Sequence, residues 1–75
     1  MENLTENILV FATNIRTLTH KQTISAALDK NPDIQQWNID QEDVDCVLRI
    51  ISDTLSEEEI IDIVENQKFK CTSLE

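Results

Sequence analysis

The stretch that decides the fold is ILVFATNIRTLTHKQTISAALDK, Ile8 to Lys30, which passes from an apolar block to a helical pattern. Residues 8–15 are mostly apolar and rich in β-branched side chains, which predicts a strand. Thr19, followed by Gln22 three residues later, matches a capping box, and apolar residues then recur at helical spacing. The stretch therefore predicts a strand, a short loop and a helix over residues 20–30.

The rest of the chain adds three strands and a second helix. Ser56 and Glu59 form another capping-box pattern, with Leu55 placed to pack on Ile60. The predicted elements are strands over 34–40, 46–52 and 69–73, and a helix that follows Ser56 and runs to about Asn66. The order β-α-β-β-α-β predicts an α+β, ferredoxin-like sandwich, a four-stranded antiparallel sheet of order 4-1-3-2 with both helices on one face. Residues 1–75 are expected to be one domain, with Leu74-Glu75 resembling a cloning scar.

Composition limits the class of partner. Fifteen acidic residues against six basic ones give a net charge of −9, which repels phosphate backbones and anionic lipids. Nucleic acid and membrane partners are therefore not expected, and a cation or a basic protein patch fits better, although acidity can simply keep a small protein soluble. No run is long and apolar enough to span a membrane, and residues 1–6 lack a secretion signal, so a cytoplasmic location is expected.

Three parts of the chain carry a family resemblance: KNPDIQQWNID (30–40), EEIIDIVENQKF (58–69) and the helical positions Ile24, Ala27 and Leu28. They resemble the heavy-metal-associated domains, the small copper-chaperone-like modules. The resemblance implies the ferredoxin-like fold, and it aligns the family's Met-x-Cys-x-x-Cys metal motif with residues 15–20. Thr17 and His20 then replace both cysteines. Because soft thiolates hold copper(I) and a threonine hydroxyl does not, the family's usual metal activity is not expected.

A weaker metal hypothesis stays open at the same end of the molecule. The predicted topology gathers the first strand–helix loop, the hairpin between strands two and three, and the loop before strand four, where Lys68 replaces the family's usual glycine. Imidazole and carboxylates can bind zinc, and the candidate ligands are Thr17, His20, Asp40, Asp43 and Asp45, with Glu42 nearby. Two copies of His20 brought together by a dimer could also share an ion. The alternative is that His20 is a partly exposed residue of the first helical turn.

No catalytic constellation is evident. The chain has no glycine to form a phosphate loop or an oxyanion hole, and its two cysteines lie in predicted strands. Cys46 and Cys71 are expected to be buried free thiols, separated by roughly 10 Å because strand one lies between their strands. We therefore expect neither enzymatic activity nor a cofactor.

The sheet face turned away from the helices is the predicted contact surface. By strand parity Ile8 and Val10 lie there beside Val47 and Ile51, and a contiguous apolar patch often marks association. The alternative is that these residues reflect strand propensity alone. The sequence thus predicts a non-enzymatic interaction module that binds a protein partner or forms a homodimer through this face. Two alternatives remain, a metal carrier using His20 and a dimeric small-ligand regulatory module.

Overall fold

The computed structural model describes residues 8–74 and has the predicted β-α-β-β-α-β order. Its elements are β1 (Ile8–Thr13), α1 (Leu18–Asp29), β2 (Gln36–Asp40), β3 (Val47–Ile51), α2 (Glu57–Asn66) and β4 (Cys71–Ser73). The strands form one antiparallel sheet of order β2-β3-β1-β4, which is the predicted order read from the opposite edge. The ferredoxin-like prediction is confirmed. Residues 1–6, where no secretion signal was expected, and Glu75 lie outside the described residues.

Both helices pack on the same sheet face. Ile24 and Leu28 of α1 join Ile60 and Val64 of α2 in one fully buried cluster with the inward side chains of the sheet. Those inward residues are Phe11, Leu48 and Ile50, with Ile15 just beyond β1. Trp37 and Ile39 share a face of β2 and pack against this cluster. Among residues 8–74, no helix lies on the opposite sheet face.

Helix α2 begins as its sequence predicts. The backbone N–H of Glu59 donates to Ser56 Oγ over 3.2 Å, and the N–H of Ser56 donates to Glu59 Oε1 over 2.9 Å. This reciprocal capping box satisfies amides that have no partner inside the helix. Three glutamates, residues 57–59, occupy the first turn, where the helix dipole favours negative charge.

Helix α1 begins two residues earlier than the pattern suggests, so the predicted Thr19–Gln22 capping box is wrong. Thr17 is the N-cap, with extended backbone, and its side-chain oxygen accepts from the N–H of His20. Thr19 lies inside the first turn, where its carbonyl accepts from the hydroxyl of Thr23. Either of two threonines, at 17 and 19, could have capped this helix. β1 ends at Thr13, and the helix is capped by the first of the two, Thr17.

The start of β3 departs from simple strand alternation. Cys46 has a positive φ of 43° and precedes the strand instead of belonging to it. Its thiol is buried, as expected, but so is the neighbouring Val47, which retains 6% of its surface. The expectation that Val47 is an exposed member of the open face is therefore wrong. Cys71 is also buried, and both thiols are free.

The chain continues beside β1 after β4 ends, because the backbone N–H of Leu74 donates to the carbonyl of Val10 over 2.8 Å.

Among residues 8–74, neither helix has the length and apolar character required to cross a membrane.

Candidate functional site

Three loops meet at one end of the molecule, as predicted, and we call this region the loop end. It comprises residues 14–17 between β1 and α1 with residues 18–20 of the first helical turn, the 41–46 hairpin, and residues 67–70 before β4. The Arg16 guanidinium donates to the carbonyl of Val44 over 3.4 Å, and the N–H of Lys70 donates to Asn14 Oδ1 over 2.9 Å. Direct hydrogen bonds thus tie the first loop to both of the others.

Thr17 and His20 act together as a helix cap. Thr17 Oγ1 accepts from the N–H of His20 over 3.0 Å, and His20 Nδ1 accepts from the N–H of Arg16 over 3.3 Å. The imidazole also packs edge-on against the ring of Phe69, with centroids 5.1 Å apart. Both side chains that replace the cysteines of the resemblance therefore bond to the backbone of their own loop.

Gln41 fixes the shape of this loop from the hairpin. Its side-chain amide donates to the carbonyls of Ile15 and Thr17, over 3.2 and 2.9 Å. Thr13 adds a buried contact, because its hydroxyl donates to the carbonyl of Cys46 over 2.7 Å and accepts from the N–H of Ile15 over 3.2 Å. Sequence reasoning missed the role of Gln41, which has only the polar character expected of any hairpin residue.

The candidate metal ligands do not form a common site. Asp40 Oδ1 accepts from the N–H of Glu42 and Asp43 Oδ1 from the N–H of Asp45, over 3.1 and 2.9 Å, so both carboxylates stabilise the hairpin turn itself. Across residues 8–74, no three histidine, cysteine, aspartate or glutamate side chains come together in a group that could hold a metal ion. The five candidate ligands are thus spread over the start of α1, the end of β2 and the hairpin that follows: Thr17, His20, Asp40, Asp43 and Asp45.

Lys68 occupies a left-handed backbone position, with φ of 74°. It directly follows the C-cap of α2, and its N–H donates to the carbonyl of Glu65 over 2.9 Å, while the N–H of Phe69 reaches the carbonyl of Val64 over 3.4 Å. This pair of hydrogen bonds is the Schellman motif, whose left-handed residue is usually glycine. Lys68, at the position where the resembled family usually has glycine, therefore keeps the backbone conformation of glycine although its own side chain disfavours that conformation.

The open sheet face carries apolar residues on its central strands. Ile8, 52% exposed, lies opposite Ile51 in the β1–β3 pairing, and Val10 lies opposite Arg49. Val10 and Ile51 are half-buried and Arg49 is exposed. Three of the four predicted contact residues are therefore accessible, while Val47 contributes little exposed surface.

Cys71 is unsuited to nucleophilic chemistry. Burial, reinforced by the charge of Glu65, raises the pKa of its thiol from the ordinary 9.0 to about 12. A thiol must ionise to act as a nucleophile or a metal ligand. The nearest position of β1 in the sheet is Thr13, its register partner, which offers no base.

The fold has well-matched neighbours among solved structures. Over 92% of this chain and 93% of that one, it superimposes on the first domain of the human copper chaperone for SOD1 in its copper(I)-loaded form, with a TM-score of 0.79 and 17% identity. The apo HMA domain of the copper chaperone for superoxide dismutase gives a TM-score of 0.79 at 16% identity, covering all of this chain and 79% of that one. The chain has the fold of the heavy-metal-associated domains.

A third neighbour of the heavy-metal-associated fold comes from a transporter. The yeast copper transporter domain Ccc2a, solved in apo and copper(I)-loaded states, has a TM-score of 0.77 and 18% identity over 91% of this chain and 94% of that one. No protein-family model matches this sequence, and no curated protein matches it. The similarity that apolar spacing indicated is thus confirmed for the fold.

Proposed function

We propose that this chain is a non-enzymatic protein-interaction module with the heavy-metal-associated fold, and that it acts without the cysteine metal site of that family. The observation that carries the proposal is the closed helix cap at residues 16–20. Thr17 and His20, which align with the two metal cysteines, both accept hydrogen bonds from loop amides. A metal ion taking Thr17 Oγ1 or His20 Nδ1 would have to displace one of these bonds.

The metal-carrier alternative receives no comparable support. Asp40 and Asp43 also accept from backbone amides, and their carboxylates belong to the hairpin and not to the β1–α1 loop. His20 Nε2 could supply one ligand at most, whereas zinc sites in proteins use three or four. Protein contact is the better hypothesis for a chain whose candidate ligands are engaged in shaping loops.

The open sheet face is the proposed contact surface. Ile8, Val10 and Ile51 place apolar side chains on two adjacent central strands, and neither helix of the described chain, 8–74, covers them. Arg49 lies between them, opposite Val10, and arginine is enriched at protein interfaces. A partner or a second copy of the chain would cover these residues. A dimer with a ligand groove, as in regulatory ferredoxin-like modules, is the remaining alternative.

The test restores the missing ligands. Thr17→Cys/His20→Cys recreates the Cys-x-x-Cys spacing in the same loop and serves as the positive control. Reduced protein is titrated anaerobically with copper(I), and separately with zinc, while amide NMR shifts are followed. We expect saturable shifts over residues 15–21 in the double variant and none in the natural sequence at stoichiometric metal. Saturable binding by the natural sequence that His20→Ala abolishes would establish the metal carrier instead.

The contact surface is tested separately by solution mass and partner capture. Val10→Lys places a charge in the centre of the open face, and Ala26→Lys, at an exposed position of α1 on the other side of the sheet, is the matched control. We expect Val10→Lys, but not Ala26→Lys, to abolish self-association or the capture of a partner. Equal behaviour of both variants would remove the open face from the proposal.

A further inference from the structure

An open cavity of about 520 Å³ lies on the helix side of the sheet, between the end of α1 and the end of α2. We call it the interhelix cavity. Protein pockets that bind small molecules commonly measure about 300–1,000 Å³. None of its lining residues belongs to the helix cap at 16–20, at the other end of α1, or to the open sheet face. The cavity is therefore separate from both surfaces considered above.

One part of the interhelix cavity is apolar. Ala27 of α1 retains 8% of its surface, Ile63 of α2 is half-buried, and Pro32 follows the end of α1. Because the side chain of Ala27 is a single methyl group, a larger residue at this position would occupy space that the two helices leave between them. This part of the cavity accepts a small aliphatic group.

The other lining residues are polar, and their side chains are little used by the protein itself. Within the described chain, 8–74, the side chains of Lys30, Asn66 and Gln67 make no hydrogen bond or ion pair. Asn31 Oδ1 accepts from the N–H of Asp33 over 2.9 Å, which leaves the amide nitrogen of Asn31 as a donor. These residues offer a ligand one cation and three amide groups that donate and accept hydrogen bonds.

Opposite electrostatic character marks the two sides of the interhelix cavity. Lys30, the C-cap of α1, is the one charged residue among the described residues that line it. On the other side α2 ends at its C-cap, Gln67, with Glu65 but no basic residue in its last turn. Because a helix C-terminus carries partial negative charge, this side attracts a cation. A small ligand with both a carboxylate and an ammonium group matches the two sides.

We infer that the interhelix cavity binds a free α-amino acid with an aliphatic side chain. The carboxylate pairs with Lys30, and the ammonium group lies at the end of α2, beside the amide oxygens of Asn66 and Gln67. The aliphatic side chain packs against Ala27 and Ile63. A carboxylic acid without the ammonium group leaves the α2 side unmatched, and an amine without the carboxylate meets Lys30 as a like charge. This inference does not depend on protein contact through the open sheet face, so either proposal can fail alone.

The experiment titrates the whole chain with L-leucine and follows amide NMR shifts. Leucinamide, which lacks the carboxylate, and 4-methylpentanoate, which lacks the ammonium group, are the matched probes. We expect saturable shifts confined to residues 27–31 and 63–67, with a Kd on the order of 1 mM for a ligand of this size. Each analogue should bind about fivefold more weakly, from the loss of one exposed charge interaction. Equal binding of either analogue, or shifts that do not saturate, would overturn the inference.

Two lysine variants locate the charge that binds the carboxylate. Lys30→Gln should weaken leucine binding by about fivefold, whereas Lys21→Gln, near the opposite end of α1, should change it by less than about twofold. Equal weakening by both variants would show an effect of overall charge and would overturn the inference.

A third variant fills the interhelix cavity. Ala27→Leu places a larger side chain in the apolar part, so the shifts caused by L-leucine should disappear. Far-UV circular dichroism and Tm show whether this variant keeps the native fold. Leucine binding that persists in folded Ala27→Leu would place the ligand elsewhere and refute the inference, and if the variant does not fold, the comparison of the two lysine variants decides.

Discussion

Replacing Lys68 by glycine should stabilise this protein. The residue has φ of 74° at the end of α2, where its N–H and that of Phe69 close the Schellman motif. A non-glycine residue in the left-handed region carries about 1–3 kcal/mol of strain, while glycine loses about 0.5–1 kcal/mol through the entropy of the unfolded chain. The net expectation is a gain of about 1 kcal/mol in the free energy of unfolding.

The assay is thermal and urea unfolding followed by far-UV circular dichroism. For a domain of this length the unfolding entropy of about 2.1 cal/mol/K per residue converts 1 kcal/mol into a rise in Tm of about 6 °C. Gln67→Gly is the matched control, because the preceding residue has φ of −91° and gains nothing from glycine. Its Tm should fall by a few degrees. Lys68→Gln removes the charge but keeps the strain, so it should leave Tm nearly unchanged.

The strain at Lys68 requires that Lys68→Gly raise Tm and that Gln67→Gly lower it. If Lys68→Gly lowered Tm as much as Gln67→Gly, the left-handed conformation would carry no strain that glycine relieves. If Lys68→Gln raised Tm as much as Lys68→Gly, charge and not backbone conformation would be responsible.

Two other outcomes follow from the structure. Thr17→Ala should lower the free energy of unfolding by about 1 kcal/mol, the usual effect of losing an N-cap side chain. Thr19→Ala should have a smaller effect in the same denaturation assay. Equal losses of stability in the two variants would contradict the assignment of Thr17 as the N-cap. Because burial and Glu65 raise the pKa of Cys71 to about 12, the folded state retains a proton that the unfolded thiol releases above its ordinary 9.0. Stability should therefore fall as pH rises from about 9 to about 12 and should not depend on this group below pH 9. The fall should be smaller in Cys71→Ala, and an identical pH profile in both proteins would contradict the raised pKa.

Local signals predicted most of the fold because each element has a pattern of its own. The glutamates and serine at the start of α2 gave its first residue, and the apolar spacing of Ile24 and Leu28 gave the buried face of α1. Errors occurred where neighbouring residues offered equivalent chemistry. Thr17 and Thr19 have the same hydroxyl, and the local sequence does not distinguish the one that caps the helix.

The burial of Val47 could not be predicted, for a different reason. Val47 keeps the outward parity of Arg49 and Ile51, because Leu48 and Ile50 are the inward residues of the same strand. Parity predicts the face on which a side chain lies, but it does not predict how much of that side chain its neighbours cover. Val47 retains only 6% of its surface, whereas Arg49 is exposed.

At the loop end, two candidate ligand atoms are already engaged within the chain. A metal site needs ligand atoms that are not already accepting hydrogen bonds, so that they remain available to an ion. Here Thr17 and His20 accept hydrogen bonds from the amides of residues 20 and 16, and Gln41 satisfies two carbonyls of the same loop. The loop is therefore held by internal bonds, which makes a bound ion unnecessary for its shape.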